Sequence, residues 1–228
     1  MPPRFDSGRD DRGYCPLFLQ ALLERDARGA RDVIERAVEA GVPVPDVYTE
    51  IFEPVLGEVG HLWAIDEINV AQEHLATSVT QDLIATLGSR IRVPPTQGRL
   101  AIVTSAPDEL HQLGVLMVAN LLEAEAWEVC SLGAATPAAD LIQLVEMECP
   151  DLVALSASTA GRLPGVAEVL PMLAAVRPRP FIVVGGRLFT AEAGDLAREL
   201  GADLVISDAR KLVTALRERF GVREPEVS

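Results

Sequence analysis

The chain holds three histidines, and one of them, His111, stands two residues after a carboxylate, Glu109, and three before a glycine, Gly114. A metal centre asks this of a protein ligand: one imidazole nitrogen offered outward, the other N–H held by a carboxylate that fixes the tautomer. Taken alone, a loop histidine more often caps or opens a helix at the surface. Two further loops sit at comparable places after apolar runs. One carries hydroxyls at Ser156, Ser158 and Thr159; the other is bare backbone at Gly185-Gly186, where something flat or bulky can lie close. The stretch around His111, SAPDELHQLG, has neither a GxGxxG turn nor a GK[ST] ending, which sets dinucleotides and nucleoside triphosphates aside. Earlier in the chain, Trp63 is followed after nine residues by Glu73-His74, with Val70 between. Read by themselves, Trp63 is a core anchor, Glu73 a solvated charge and His74 the flank of an apolar stripe. The spacing of His61, Glu73 and His74 is not the HExxH of a zinc site.

The elements that must position these residues follow two rhythms. From Tyr14 to about Ile91 the apolar residues recur at helical spacing and read as four helices, a bundle. Leu17, Leu22 and Leu23 mark the first. Val33, Ile34, Ala37 and Val38 mark the second, which stops at Gly41. Pro43 and Pro45 open a third through Val47, Ile51, Val55 and Val59, ending near Trp63, with a kink expected at Pro54. Asn69 and Gln72 form a capping box that starts the fourth at Val70, with the stripe Ala71, Leu75, Val79, Leu83 and Leu87. Residues 92–98 read as a linker. Beyond it, strands at 100–104, 129–132, 152–155, 181–184 and 204–206 alternate with helices near 112–124, 137–148, 164–176, 190–199 and 208–219. Strands this apolar belong to a parallel sheet covered on both faces. The fold class is therefore α/β with an N-terminal all-α part: a four-helix cap (14–91), then a five-stranded doubly wound Rossmann-like or flavodoxin-like domain (99–222), with disordered tails at 1–13 and 223–228. In such a sheet ligands sit at the carboxyl ends of the strands, and all three loops above lie there.

Composition narrows the function. Twenty basic against 34 acidic side chains give a net charge of −14, which works against a phosphate backbone as partner. No apolar run is long enough to span a membrane, and the start lacks a secretory signal, so a cytoplasmic protein is expected. Cys15, Cys130 and Cys149 form neither a disulfide framework nor a metal pair and fit reduced thiols.

With these residues in place, the α/β half resembles the cobalamin-binding domains of methionine synthase, corrinoid methyl carriers and cobalamin photoreceptors. Their DxHxxG, SxL or SxT, and GG motifs appear as Glu109-x-His111-x-x-Gly114, Ser156-x-Ser158 and Gly185-Gly186, with Glu109 departing from the usual Asp. The resemblance implies that His111 is the lower cobalt ligand, that Glu109 and Ser156 extend it as a hydrogen-bond relay, and that Gly185 and Gly186 admit the cofactor's nucleotide tail. The W-x9-EH spacing resembles CarH-type light sensors and implies that Trp63, Val70, Glu73 and His74 shelter the adenosyl group of adenosylcobalamin bound between the two halves. Photolysis of the cobalt–carbon bond would then drive a conformational or oligomeric signal. Two departures from that type are expected to matter. No helix-turn-helix precedes the bundle, so direct DNA binding is not expected, and Ala64 replaces the histidine that follows the tryptophan, leaving His61 as a stand-in. Photocobilins resemble the chain more closely still and imply a bilin such as biliverdin as a second chromophore, with the three cysteines as attachment points or, alternatively, buried structural thiols. The rival reading is a corrinoid protein carrying methyl groups for a methyltransferase system. The output partner and any self-assembly stay open.

Overall fold

In the computed structural model the described residues are 13–91, 93–96 and 98–221, and the chain divides after Ile91 into two compact units. Tails are expected at 1–13 and 223–228; of the first all but Gly13, and the whole of the second, lie outside the described residues, as do residue 222 and linker positions Arg92 and Gln97.

The first unit is helical: α1 (Tyr14–Leu23), α2 (Ala27–Glu39), α3 (Val44–Asp46), a π-helical segment (Val47–Phe52), α4 (Glu53–Ala64) and α5 (Val70–Gly88). The third expected helix is thus one run made of α3, the π segment and α4. Pro54 explains the wide segment. It has no N–H to give the Glu50 carbonyl, so the preceding bonds widen, with Glu53 N–H reaching Tyr48 O. The buried Cys15 thiol donates to the Glu50 carbonyl at 3.0 Å. At the place where a kink is expected, the helix carries a turn of i→i+5 bonds. Apolar burial then fastens the unit: Phe18 and Phe52 lie 5.4 Å apart, Tyr48 stacks on Phe52, and the Tyr48 hydroxyl donates to Ile84 O. The capping box at Asn69 and Gln72 forms with both of its hydrogen bonds. Two expected core residues are instead exposed, Leu17 and Ala71, because Phe18 and Ala76 occupy the inward faces of their helices.

The second unit alternates β1 (Leu100–Ser105), α6 (Leu113–Ala124), β2 (Glu128–Gly133), α7 (Ala138–Glu148), β3 (Leu152–Ser156), α8 (Leu163–Ala175), β4 (Phe181–Gly185), α9 (Ala191–Glu199), β5 (Leu204–Val205) and α10 (Ala209–Phe220), with a 3-10 turn at Ala160–Arg162. The strands are parallel in the order β2-β1-β3-β4-β5. Period-two alternation sorts their side chains into two cores. Ile102, Val153, Leu155, Ile182 and Val184 pack on one face, and Ala101, Val103, Leu152, Ala154 and Val183 on the other. The winding reverses between β1 and β3, and at that reversal a doubly wound sheet opens a crevice outside its carboxyl ends.

Candidate functional site

His111 lies in the loop after β1, at this crevice. Its side chain is 52% exposed while Glu109 beside it is 1% exposed. Nδ1 lies 2.5 Å from Glu109 Oε1. Against an ionised carboxylate a proton sits on Nδ1, which fixes the tautomer in which the neutral ring offers its lone pair to a metal at Nε2. The same Oε1 accepts the His111 backbone N–H at 3.0 Å, and Oε2 accepts the Ser158 backbone N–H at 2.8 Å. Burial acts to raise the Glu109 carboxyl, but these two N–H groups and the imidazole outweigh it and hold the group below the ordinary carboxylate range.

The histidine loop is tied at several points: Ala106 N–H donates to Ser156 O, Ala135 N–H to Glu109 O, and the Ser105 hydroxyl to His111 O. One expectation changes here. The relay from Glu109 reaches the Ser158 amide, whereas the Ser156 hydroxyl faces Gly114, where an added Cβ would come within 3.4 Å of it. The longer Glu side chain, in place of Asp, makes both carboxylate contacts. Thr159 is exposed ahead of the 3-10 turn.

Gly185 and Gly186 close the crevice's far side. A Cβ at Gly185 would lie 2.6 Å from Ile206 O, and one at Gly186 (φ +101°) would lie 2.3 Å from Ala157 O. The protein's own backbone already requires both glycines.

In the helical unit, the five-residue turn from α4 to α5 brings Trp63, Val70, Glu73 and His74 to one end. Trp63 and Val70 are each 50% exposed, which removes the core-anchor reading of Trp63. The less exposed Glu73 accepts from Thr77 Oγ1 at 2.9 Å, and its other oxygen lies 3.6 Å from His74 Nε2. His61 is half-buried and stands about 200° around α4 from Trp63, facing elsewhere. Of the three cysteines Cys15 is buried, Cys130 intermediate and Cys149 exposed. Sequence reasoning missed Ser105 and Gln112, the latter with its Oε1 3.2 Å from where a Gly133 Cβ would stand. No pattern in the sequence marks such contacts between loops.

A flavodoxin-like sheet with an outward imidazole at its switch point defines a class of metal- or cofactor-binding α/β protein. The chain belongs to the B12 binding domain family: one B12 binding domain pattern matches residues 99–217 and a second matches 17–87. It is 32% identical over 186 residues to the HTH-type transcriptional repressor CarH of Myxococcus xanthus, covering 79% of this chain and 61% of that one. It is 22% identical over 213 residues to dimethylamine corrinoid protein 3 of Methanosarcina acetivorans, covering 92% and 98%. The chain spans about six-tenths of CarH and about half of the related CarA. Its fold matches the monomethylamine corrinoid protein of Methanosarcina barkeri with a TM-score of 0.76, at 19% identity and over 89% of this chain and 96% of that one. The cofactor class is therefore a corrinoid, and the donor set fits one: an imidazole oriented by a buried carboxylate, offered beside a glycine-lined edge. No helix among the described residues is long and apolar enough to cross a membrane.

Proposed function

We propose that this protein is a cobalamin-dependent light sensor that binds adenosylcobalamin, with His111 Nε2 as the lower cobalt ligand and Trp63, Val70, Glu73 and His74 receiving the adenosyl group. When bound, adenosylcobalamin supplies a cobalt–carbon bond that visible light breaks. The chain's own residues do the rest. Glu109 holds the proton of His111 on Nδ1 and fixes the ring, Gly114 and the glycine pair keep side chains away from the edge of the sheet, and Glu73 offers a carboxylate already oriented by Thr77. The observation that carries the sensor reading is the exposed apolar end of the helical unit, where Trp63 and Val70 stand half in solvent beside a pinned Glu73. A surface of this kind gains stability when a nucleoside covers it.

The methyl-carrier reading draws on a different fact: corrinoid proteins align with the chain over nearly their whole length. One reconstitution separates the two. The protein is loaded with adenosylcobalamin, with and without biliverdin, and its absorption and elution volume are recorded before and after green and red light. A light-dependent change in both favours the sensor. Methyl transfer from methylcobalamin-loaded protein to a corrinoid methyltransferase, with no light response, overturns it. His111→Ala should turn the bound spectrum base-off or abolish binding, and an unchanged spectrum rejects the ligand assignment.

A further inference from the structure

We propose that Ser105, the last residue of β1, is a positioning residue that fixes the direction of the His111 imidazole; the inference rests on the reading of His111 as cobalt ligand. Two of the hydrogen bonds that hold His111 converge on one atom. Both its backbone N–H (3.0 Å) and its Nδ1 (2.5 Å) meet Glu109 Oε1. Bonds that share an acceptor leave the residue free to pivot about that acceptor. A third point removes the pivot, and the Ser105 hydroxyl provides it by donating to the His111 carbonyl at 2.8 Å. Ser105 is itself fixed: it is fully buried, and it stands in register with Ser156 on the neighbouring β3. The position of a central strand is thereby passed to the imidazole through one hydroxyl. Glu109 sets the tautomer, and Ser105 sets the aim.

The test uses the full chain with and without hydroxocobalamin. Ser105→Cys keeps nearly the same volume with a weaker donor, and Ser105→Thr keeps the hydroxyl, so packing and hydrogen bonding are separated even if Ser105→Ala fails to fold. In the cofactor-free protein, histidine-labelled NMR of the wild type and Ser105→Thr should give one His111 species with a downfield Nδ1–H. Ser105→Cys should broaden or lose that signal while the protein stays cooperatively folded, its melting temperature lowered by only a few degrees. In the loaded protein Ser105→Cys should release hydroxocobalamin about fivefold faster, the size expected for one neutral hydrogen bond. Wild-type resonances and release in Ser105→Cys would overturn the proposal. Should His111→Ala leave the corrinoid spectrum unchanged, the ligand reading fails separately, and the cofactor-free resonances still decide whether Ser105 orients the ring.

Discussion

At the scale of single residues, Glu109 concentrates the chemistry. It is buried, it accepts three hydrogen bonds, and its carboxyl lies below the ordinary range because those donors outweigh burial. A carboxyl depressed in the folded state stabilises the fold above its unfolded pKa, and that contribution is lost as the pH falls through the folded value. Urea midpoints of the wild type should therefore decline on acidification through that range. Glu109→Gln should flatten that decline, because its amide cannot titrate. At neutral pH the same substitution should cost about 1–3 kcal/mol, since the Gln amide turns a donor toward one of the N–H groups. Glu109→Asp should lose either the Ser158 or the His111 contact, being one methylene short, and a urea titration beside that of Glu109→Gln would read this. Gly186 makes a second residue-scale prediction. With φ at +101° and a Cβ position 2.3 Å from Ala157 O, Gly186→Ala should lower the melting temperature sharply, whereas Gly161→Ala, with open space around it, should barely move it.

At the scale of elements, five strands and the helices between them were legible from apolar runs, and their ends moved by about one residue, because burial in a parallel sheet demands continuous β-branched stretches. The fourth helix of the cap declared its start through Asn69 and Gln72. The π segment before Pro54 was not legible, since it depends on a proline in one helix and on Cys15 from another. The same limit applies to the site. His111 and Glu109 are neighbours in sequence and could be paired by spacing, but the Ser158 amide comes from another strand's loop and only the sheet order brings it near. Thiol accessibility tests the packing of these elements. Iodoacetamide should modify exposed Cys149 first. Cys130 should follow slowly, because burial, helped by the Glu148 charge, pushes its thiol up, and Cys15 should react only on unfolding. Rapid labelling of Cys15 in the native protein would contradict the helical core described above.

At the scale of the whole molecule, the chain joins a helical unit with an exposed aromatic end to a sheet with an outward imidazole, and the proposed function needs both. Trp63→Ala should weaken retention of adenosylcobalamin more than of hydroxocobalamin, measured by equilibrium dialysis in the dark, because only the first presents a nucleoside to the helical unit. Equal losses would assign Trp63 a role unrelated to the upper ligand. The glycine pair behaves differently from the histidine in this respect. Residues 185 and 186 are dictated by the main chain that surrounds them, so a relative that had given up its cobalt would still be compelled to keep them. An imidazole at 111 is under no such compulsion. Among diverging sequences of this architecture, the pair attests that the scaffold survives, and position 111 attests whether the pigment does.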